Sequence, residues 1–475
     1  MKKHSLFKSM AIILLIVLVV TYFLPGRTGE VSYLPFVDVV ANYIQSYYYF
    51  FDTVVFMLMI GAFYGVLNKT GAYKKLLDKI VVKVKPNGKK FVIVSTIAFA
   101  LVASLTGLTM PLIIFIPFVI SIILLLGYDK LVAISSTVVS ILIGFIGGLF
   151  VTFRDPNAYG YSAITFEELV GIDKYTNLLP QILLLVLGVG LLILFISRHI
   201  KDIENKNVKY ELNDNSELLI AEVKGNYKDI KTWPLMVILA ILLVLLILGL
   251  IPWNTLFEIE IFDTFHTWIT ELNIKEFYIF GNIISSVIPA FGRWAELGSY
   301  MMSIIFMTIS LIIIKFVYKI KFDELLSDMA EGAKKMLPTA ALMMLAYCIL
   351  VCVYNNGFIE TLISKVSTNN DINFVVASLI SVLGSLVHVD LYYTVAGVFT
   401  PIIGAVANES ILDVFALAFQ SLYGLISIVG PTSLILIFAL SYLDVPYTTW
   451  LKYIWRFILS LFIIIFAVLL ILALI

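Results

Sequence analysis

Long uninterrupted apolar runs constrain the fold of this 475-residue chain more than any other feature. A run of about 18 or more uncharged residues can cross the hydrocarbon core of a bilayer as a helix. Spanning β-strands are not expected, because barrel strands alternate apolar and polar residues in short segments. The sequence therefore predicts an all-α polytopic membrane protein whose partner is the lipid bilayer. The runs that qualify, the shorter ones with their flanks, lie at 10–24, 92–126, 131–153, 178–196, 236–251, 301–314 and 457–475.

Composition supports a membrane protein and excludes several classes of function. The chain is 61% hydrophobic and 13% charged, whereas soluble domains have about a quarter of their residues charged. Lysine and arginine together number 32, as do aspartate and glutamate, so no nucleic-acid partner is expected. The sequence shows no Walker loop, H-E-x-x-H motif or usable Ser/His/Asp arrangement. We therefore expect neither an enzyme nor an ATP-driven pump, and no cofactor beyond a coupling ion, Na⁺ or H⁺.

Charge distribution predicts the orientation. Lysine and arginine cluster in three connectors, at 69–90, 198–231 and 315–335, and positively charged flanks stay in the cytoplasm. Residues 256–272 contain four acidic residues and no lysine or arginine, so we expect this segment on the external side of the membrane. The lysines near the N-terminus place that end in the cytoplasm, and the first apolar run lacks a small-residue cleavage site, so we expect an uncleaved helix. The predicted location is the cytoplasmic membrane, with multiple spans.

Two halves of the chain resemble each other. Residues 65–72 resemble 354–359, and 103–109 resemble 384–390. That register pairs Thr106 with Val387, Gly107 with His388 and Thr109 with Asp390. A third, weaker match joins residues 131–153 with 415–437.

Charge indicates how the two halves are related. The connector after the first segment is rich in lysine, whereas its counterpart carries only Lys365. This asymmetry predicts two inverted-topology repeats, with re-entrant hairpins and broken helices, as in many secondary transporters. The alternative is chance similarity between apolar segments.

The domain organisation follows from these repeats and from one long polar stretch. Residues 204–227 are rich in Asn, Asp, Glu and Lys and predict a linker. The predicted divisions are an N-terminal transmembrane half with repeat 1 (1–198), a cytoplasmic linker (199–232), connecting helices and an amphipathic segment (233–336), and repeat 2 (337–475).

Interruptions of the apolar runs are the candidate binding sites, because broken helices expose backbone groups to substrate and ions. The first break, residues 104–111, offers Ser104, Thr106, Gly107 and Thr109. Hydroxyl and carbonyl oxygens suit a hard cation such as Na⁺. The alternative is that these hydroxyls bond to the preceding helical turn.

The second break, residues 385–393, contains Ser385, His388 and Asp390. Ionisable groups in an apolar hairpin are costly and usually functional. Asp390 could bind Na⁺, together with Thr106 and Thr109, or carry a proton. The alternative is a solvated surface turn.

Two further breaks complete the candidate set. Pro431, Thr432 and Ser433 follow Gly430, and proline inside a helix frees a carbonyl. The alternative there is a simple proline kink. Arg154 precedes an Asp-Pro-Asn sequence that ends at Asn157, and its guanidinium could bind a substrate carboxylate. The alternative for Arg154 is an external loop with an Arg–Asp contact. Asp52 is interpreted as the charge at a helix N-terminus.

Further motifs lie at residues 65–72, 322–325, 331–338, 430–433 and 445–452. Together they resemble the YfcC/DcuC family of the ion transporter superfamily. The resemblance covers nearly the whole chain and implies inverted repeats around a central site, secondary transport of carboxylates or amino acids, and a homodimer by superfamily analogy. The site residues depart from the family pattern, since Val-His-Val-Asp at 387–390 replaces a Pro-Ser-Gly-Ser-like turn.

The sequence therefore favours an ion-coupled secondary transporter of a small carboxylate or amino acid. One alternative is a Na⁺/H⁺ antiporter on the same scaffold, in which a single titrating acid such as Asp390 suffices. A third class is a membrane receptor or assembly scaffold without transport activity.

Overall fold

A computed structural model of the chain describes residues 5–23, 34–159, 162–205, 229–284, 288–297, 300–367, 372–387, 390–406 and 408–474. Within these ranges eight helical segments are long and apolar enough to cross a membrane. The strands are four two-residue pieces in two small antiparallel ladders. The predicted all-α membrane fold class is confirmed.

The first half contains a long helix, a hairpin and a helix that ends early. The predicted helix over 131–153 stops at Ile146, because Gly147 leaves helical geometry at φ −99° and ψ 36°. The elements are α1 (Ser5–Phe23), α2 (Phe36–Lys69), α3 (Ala72–Val84), α4 (Gly88–Thr106), α5 (Ile116–Leu125), α6 (Lys130–Ile134), α7 (Ser140–Ile146), β1 (Phe153–Arg154), β2 (Ala163–Ile164), α8 (Phe166–Leu169) and α9 (Leu178–Glu204).

A middle section connects the halves and forms a cap of short elements. Helix α9 runs past the predicted boundary at 198, and residues 206–228 of the predicted linker lie outside the described ranges. The elements are α10 (Trp233–Leu250), α11 (Trp253–Phe257), α12 (Ile261–Glu271), β3 (Asn273–Ile274), β4 (Phe277–Tyr278), α13 (Gly281–Ile284) and α14 (Met301–Val317).

The second half repeats the plan of the first. Its first helix runs without interruption across the predicted boundary at 336/337, and the predicted break at Gly430 separates two helices. The elements are α15 (Phe322–Asn356), α16 (Phe358–Val366), α17 (Phe374–Val387), α18 (Leu391–Thr394), α19 (Thr400–Ile403), α20 (Leu412–Val429), α21 (Leu434–Tyr442) and α22 (Tyr447–Leu474). π-helical turns join α6 to α7 (Ser135–Val139) and α18 to α19 (Val395–Phe399).

The two longest helices show that the repeats are inverted. Helices α2 and α15 each begin one repeat, and each is followed by a glycine at positive φ, Gly71 at 67° and Gly357 at 64°. They pack antiparallel. A Cβ on Gly65 would lie 2.5 Å from the Asp328 carbonyl oxygen near one end, and the Asn42 amide lies 3.4 Å from the Cys352 sulfur near the other. Equivalent helices that run in opposite directions define inverted topology.

Each repeat also places a hairpin arm beside a broken helix. Helix α4 packs on α7, α17 packs on α20, and α7 packs on α20 across the repeats. Helix α5 has 10 residues, so at 1.5 Å per residue it reaches about half of a bilayer core of roughly 30 Å. The hairpin formed by α4 and α5 therefore enters the membrane and returns.

Hydrogen bonds place the lysine-rich connectors on one face of the protein. From α3, Lys75 Nζ donates to the Ile230 carbonyl at 2.8 Å and Lys79 Nζ to Thr232 Oγ1 at 3.2 Å, just before α10 begins. Tyr318, just after α14, donates to the Lys231 carbonyl at 3.0 Å. We call this the basic face. Lys174, between α8 and α9, donates to the carbonyl of Thr255 in α11 at 3.1 Å. The segment before α9 and the segment after α10 therefore share the opposite face, which we call the acidic face.

Candidate functional site

In both repeats the tip of the hairpin contacts the break of the neighbouring helix. Ser104 Oγ, near the end of α4, donates to the Gly147 carbonyl at 2.8 Å, and Leu149 N donates back to the Ser104 carbonyl at 3.0 Å. In the second repeat Thr432 Oγ1 donates to the Leu386 carbonyl near the end of α17. The structure therefore brings Ser104 and Thr432 to equivalent junctions.

The backbone carbonyls freed at these breaks are bonded by donors from elsewhere in the protein. In repeat 1 the Gln420 amide, from α20, donates to the carbonyls of Phe145 at 2.9 Å and Gly148 at 2.8 Å. In repeat 2, Trp450 Nε1 donates to the Ile428 carbonyl at 3.0 Å and Tyr447 to the Val429 carbonyl at 2.6 Å. These carbonyls therefore support the breaks and are not turned toward a ligand.

Gln420 belongs to a buried polar chain that the sequence reasoning missed. It is 1% exposed, and Gln181, from α9, donates to its side-chain oxygen at 3.3 Å. Gln181 also donates to Glu167, itself 2% exposed, at 2.9 Å. The sequence signal that could have revealed this chain is the presence of two glutamines, Gln181 and Gln420, within apolar runs. A buried amide needs hydrogen-bond partners, so the two side chains could have been expected to meet polar groups.

Asp390 lies where the second hairpin turns. It caps α18, and its Oδ1 accepts a hydrogen bond from Tyr392 N at 2.9 Å. The side chains of Tyr300, Tyr347 and Tyr423 lie within electrostatic range of its carboxylate. These tyrosines come from the start of α14, from α15 and from α20, so Asp390 faces residues of several elements.

Asp52, from the first repeat, faces Tyr300 and Tyr347 and also interacts with Asp390. It lies just after a kink in α2, where Phe50 has φ −121° and ψ 27°. Beside it, Thr53 Oγ1 is 3.3 Å from the Tyr347 hydroxyl, and the rings of Phe50 and Tyr347 stack with centroids 3.8 Å apart. Asp52 was predicted to lie at a helix N-terminus. It lies instead inside α2, where the second half of the kinked helix begins, beside the second repeat.

We call Asp52, Asp390, Tyr300, Tyr347 and Tyr423 the acid–tyrosine centre. The sequence indicated Asp52 only as the charge at a helix N-terminus. Its proximity to Asp390 is a tertiary contact that no local pattern reveals.

Arg154 lies at the margin of this centre, on the acidic face. Its guanidinium carbon is 5.6 Å from the centroid of the Tyr392 ring, two residues after Asp390. The side chain is exposed and makes no ion pair with any described residue. Asn157 lies in the exposed turn between β1 and β2, where its N donates to Asp155 Oδ1 at 2.8 Å.

The remaining candidates of the first break have local roles. Thr106 Oγ1 bonds to the Val102 carbonyl and accepts from Leu108 N at 3.2 Å, so its hydroxyl is satisfied by the preceding turn. Gly107 ends α4 at φ 68°, where a Cβ would lie 3.0 Å from the Phe150 carbonyl oxygen. Thr109 is partly buried at the start of the next turn. A Na⁺ site shared by Thr106, Thr109 and Asp390 stays a prediction.

The other candidates lie around the second hairpin. Ser385 is 7% exposed, and its hydroxyl has no hydrogen-bond partner among the described residues. Pro431 and Ser433 are buried in the break between α20 and α21. His388 lies outside the described residues. No group of three His, Cys, Asp or Glu side chains within the described ranges is arranged to hold a metal ion.

Three comparisons place the chain among known proteins. A family model described as DcuC, the C4-dicarboxylate anaerobic carrier, matches residues 5–474. An uncharacterized protein of Haemophilus influenzae is 26% identical over 167 residues, which are 35% of this chain. That match covers 31% of the curated relative, so the chain spans about a third of its length. The crystal structure of the Alcanivorax borkumensis YdaH transporter is 15% identical, covers 98% of this chain and 97% of its own, and has a TM-score of 0.40.

Proposed function

The chain belongs to the DcuC family of C4-dicarboxylate anaerobic carriers, and on that premise we propose that it is a cation-coupled secondary transporter of a small dicarboxylate in the cytoplasmic membrane. The family supports a secondary carrier. The coupling cation, the substrate and the residues that bind them are the parts that we propose.

One feature carries this proposal: Asp52 and Asp390, from opposite repeats, lie within electrostatic range of each other and of Tyr300 and Tyr347. Asp52 comes from α2 of the first repeat and Asp390 from the hairpin of the second. An acid within the membrane is costly unless it is paired or has a function. Two neighbouring carboxylates repel each other, and a shared Na⁺ or proton relieves that repulsion. We assign the coupling role to this pair, with Asp390 as the principal cation ligand.

A carrier needs a positive group for a dianionic substrate, and Arg154 meets that need. Its planar guanidinium matches a carboxylate in two parallel hydrogen bonds. The side chain is free of ion pairs with the described residues and lies over Tyr392. The substrate would therefore bind on the acidic-face side of the acid–tyrosine centre, with the cation beneath it.

The test is transport by the purified protein in proteoliposomes with a labelled C4-dicarboxylate. In Asp390→Asn, uptake driven by a Na⁺ or proton gradient should be lost, while exchange of labelled for unlabelled substrate persists, because the amide keeps the shape but not the charge. Asp155→Asn, in the exposed β1–β2 turn, is the matched control and should keep wild-type coupling. Unchanged ion dependence in Asp390→Asn would remove this residue from the coupling mechanism.

The carboxylate pair also suits a second candidate, a Na⁺/H⁺ antiporter. That function needs a titrating acid and no organic substrate. A pH-sensitive dye inside the vesicles separates the two functions. Sodium-driven proton flux without a dicarboxylate supports the antiporter, and flux that requires the dicarboxylate supports the carrier.

A further inference from the structure

One helix of the cap on the acidic face has an apolar stripe that the described protein does not cover. Ile261, Phe265 and Trp268 of α12 lie at positions i, i+4 and i+7, which fall on one face of a helix. They are 66%, 45% and 58% exposed. Asp263 and Thr267 lie on the opposite side, and Glu271 lies on the flank next to Thr267. This amphipathic helix plays no part in the proposed transport site.

Contacts on the flank of α12 fix its position relative to the membrane. Phe262 packs against Trp253, with ring centroids 5.6 Å apart, and Asp263 pairs with Arg293 at 3.6 Å. Both neighbours are tied to the last turn of α10. Trp253 Nε1 donates to the Leu248 carbonyl at 2.7 Å, and the residue before Arg293, Gly292, donates through its N to the Gly249 carbonyl at 3.0 Å.

Helix α10 is a candidate membrane span. Helix α12 therefore lies beside the point where the chain leaves the membrane.

A second acid holds the arginine that anchors α12. Arg293 also bonds to Glu296, and this hydrogen bond raises the pKa of Arg293 above its ordinary value. The guanidinium stays charged, and the polar side of α12 stays attached to the protein. The apolar stripe is therefore held facing away from the protein.

The stripe continues into other exposed apolar groups. On the β3–β4 hairpin that follows, Ile274 and Phe277 are 65% and 63% exposed. Helix α10, which turns its own side chains toward lipid, has Val244 53% exposed two turns below its end. An apolar surface thus extends from the span of α10 to α12 and the hairpin.

We propose that α12 and the β3–β4 hairpin lie in the lipid interface on the acidic face, with Phe265 and Trp268 inserted among the phospholipids. Amphipathic helices of this kind sink about 5–10 Å into the boundary between headgroups and acyl chains. Aromatic rings favour that depth because it offers both apolar and polar surroundings. The acids on the other side of α12 stay in water.

Charge and continuity favour a bilayer over a second copy of the chain. The stripe extends the lipid-facing surface of α10, and the bilayer covers that surface by definition. The polar side of α12 carries Asp263 and Glu271, and the one lysine of the hairpin, Lys275, is followed directly by Glu276. The surface has no excess of positive charge, so the interaction does not depend on anionic lipid. We expect it in vesicles of phosphatidylcholine alone.

The test places an environment-sensitive fluorophore on α12 of the full-length protein. Trp268→Cys and Thr267→Cys are adjacent positions on the apolar and polar sides, and Phe265→Cys repeats the apolar position. The natural thiols, Cys348 and Cys352, are buried, so unmodified protein is the labelling control. The proteins are reconstituted in phosphatidylcholine vesicles, with and without bromine on the acyl chains near the headgroup.

At 268 and 265 the emission should shift to the blue and lose most of its intensity in brominated lipid. At 267 the label should be quenched by aqueous iodide instead. If iodide quenches 268 and 267 equally, the stripe faces water and the proposal fails. If 268 is protected from both quenchers and cross-links to 268 of another molecule, a second copy covers the stripe, and the proposal also fails.

Discussion

At the scale of single residues, the polar groups sort into those that hold the structure and those with capacity left for a ligand. Ser104, Thr106, Gln420, Trp450 and Tyr447 use their hydrogen bonds on backbone carbonyls. Asp390 and Asp52 each accept a hydrogen bond from a nearby backbone N–H group. A carboxylate can accept about four hydrogen bonds. Capacity to bind a cation therefore concentrates at the two acids.

Arg154 should set the affinity for substrate. Removing the guanidinium in Arg154→Ala deletes charge-assisted hydrogen bonds worth about 1.5–3 kcal/mol, so KM for a dicarboxylate should rise about tenfold or more. Arg154→Lys should recover only part of that loss, since lysine cannot bond in two parallel contacts. Initial rates over a range of substrate concentrations measure KM. Lys365→Ala, which removes another exposed cation, is the control, and equal KM values for both alanine variants would contradict the role of Arg154.

Gln420 should matter for stability more than for affinity. In Gln420→Ala the Gly148 carbonyl loses its donor, whereas the Phe145 carbonyl keeps its bond from Gly148 N. A buried group left unsatisfied costs about 1–3 kcal/mol. We expect a lower unfolding temperature in detergent and a reduced maximal rate. Gln420→Met, which fills the space without donating, should be no better than alanine. Gln45→Ala is the control, because its amide bonds at the surface, to Tyr49. A methionine variant as stable as the wild type would show that packing, and not hydrogen bonding, is what Gln420 provides.

At the scale of elements, helices α2 and α15 approach each other closely along a seam of glycines. A Cβ on Gly332 would overlap the carbonyl oxygen of Gly61, and a Cβ on Gly65 would lie 2.5 Å from the Asp328 carbonyl oxygen. Small residues spaced by four allow helix backbones to approach closely in membranes. The seam holds equivalent helices of the two repeats together.

Gly332→Val should force the helices apart, at a cost of about 3 kcal/mol or more. The expected result is a lower unfolding temperature or a loss of folded protein in fluorescence-detected size-exclusion chromatography. Gly190→Ala, in α9, is the matched control, because a Cβ there meets nothing within 4 Å. It should be neutral or slightly stabilising, since alanine is the better helix former. Normal yield and stability of Gly332→Val would mean that the seam tolerates separation.

Sequence patterns predicted elements better than they predicted contacts. Gly430 correctly marked the end of a helix, because a glycine followed by proline has a local effect on the backbone. The apolar run 131–153 did not reveal that its helix stops at Ile146, since Gly147, Gly148 and the residues after them are as apolar as a helix requires. Hydropathy indicates whether a segment can lie in lipid, and it does not indicate where the backbone leaves helical geometry.

For the candidate site, the sequence predicted a role for Asp390 because an acid is costly in an apolar hairpin. The structure adds Asp52, Tyr300 and Tyr347, which lie far from Asp390 in the chain. The sequence also gave Thr106 a role in binding Na⁺, and the structure shows its hydroxyl bonded to its own helix. Whether a hydroxyl already has a hydrogen-bond partner depends on its rotamer and its packing, and residue spacing in the sequence predicts neither.

At the scale of the whole molecule, the antiparallel pairing of α2 with α15 predicts that equivalent connectors lie on opposite sides of the membrane. Lys83 of α3 and Lys365 of α16 are exposed and occupy equivalent amphipathic helices. The variants Lys83→Cys and Lys365→Cys should therefore react with a membrane-impermeant maleimide from opposite sides. In intact cells we expect only the Lys365→Cys variant to react, and in inverted vesicles only the Lys83→Cys variant. Reaction of both variants from one side would contradict inverted topology.

Because Gln420 donates to the Gly148 carbonyl, the first repeat depends on a residue made late in synthesis. The ribosome completes α1 to α9 while α20 is still untranslated. During that interval the break after Ile146 lacks the amide that bonds this carbonyl. The first repeat can be inserted early, but it matures only when α20 arrives.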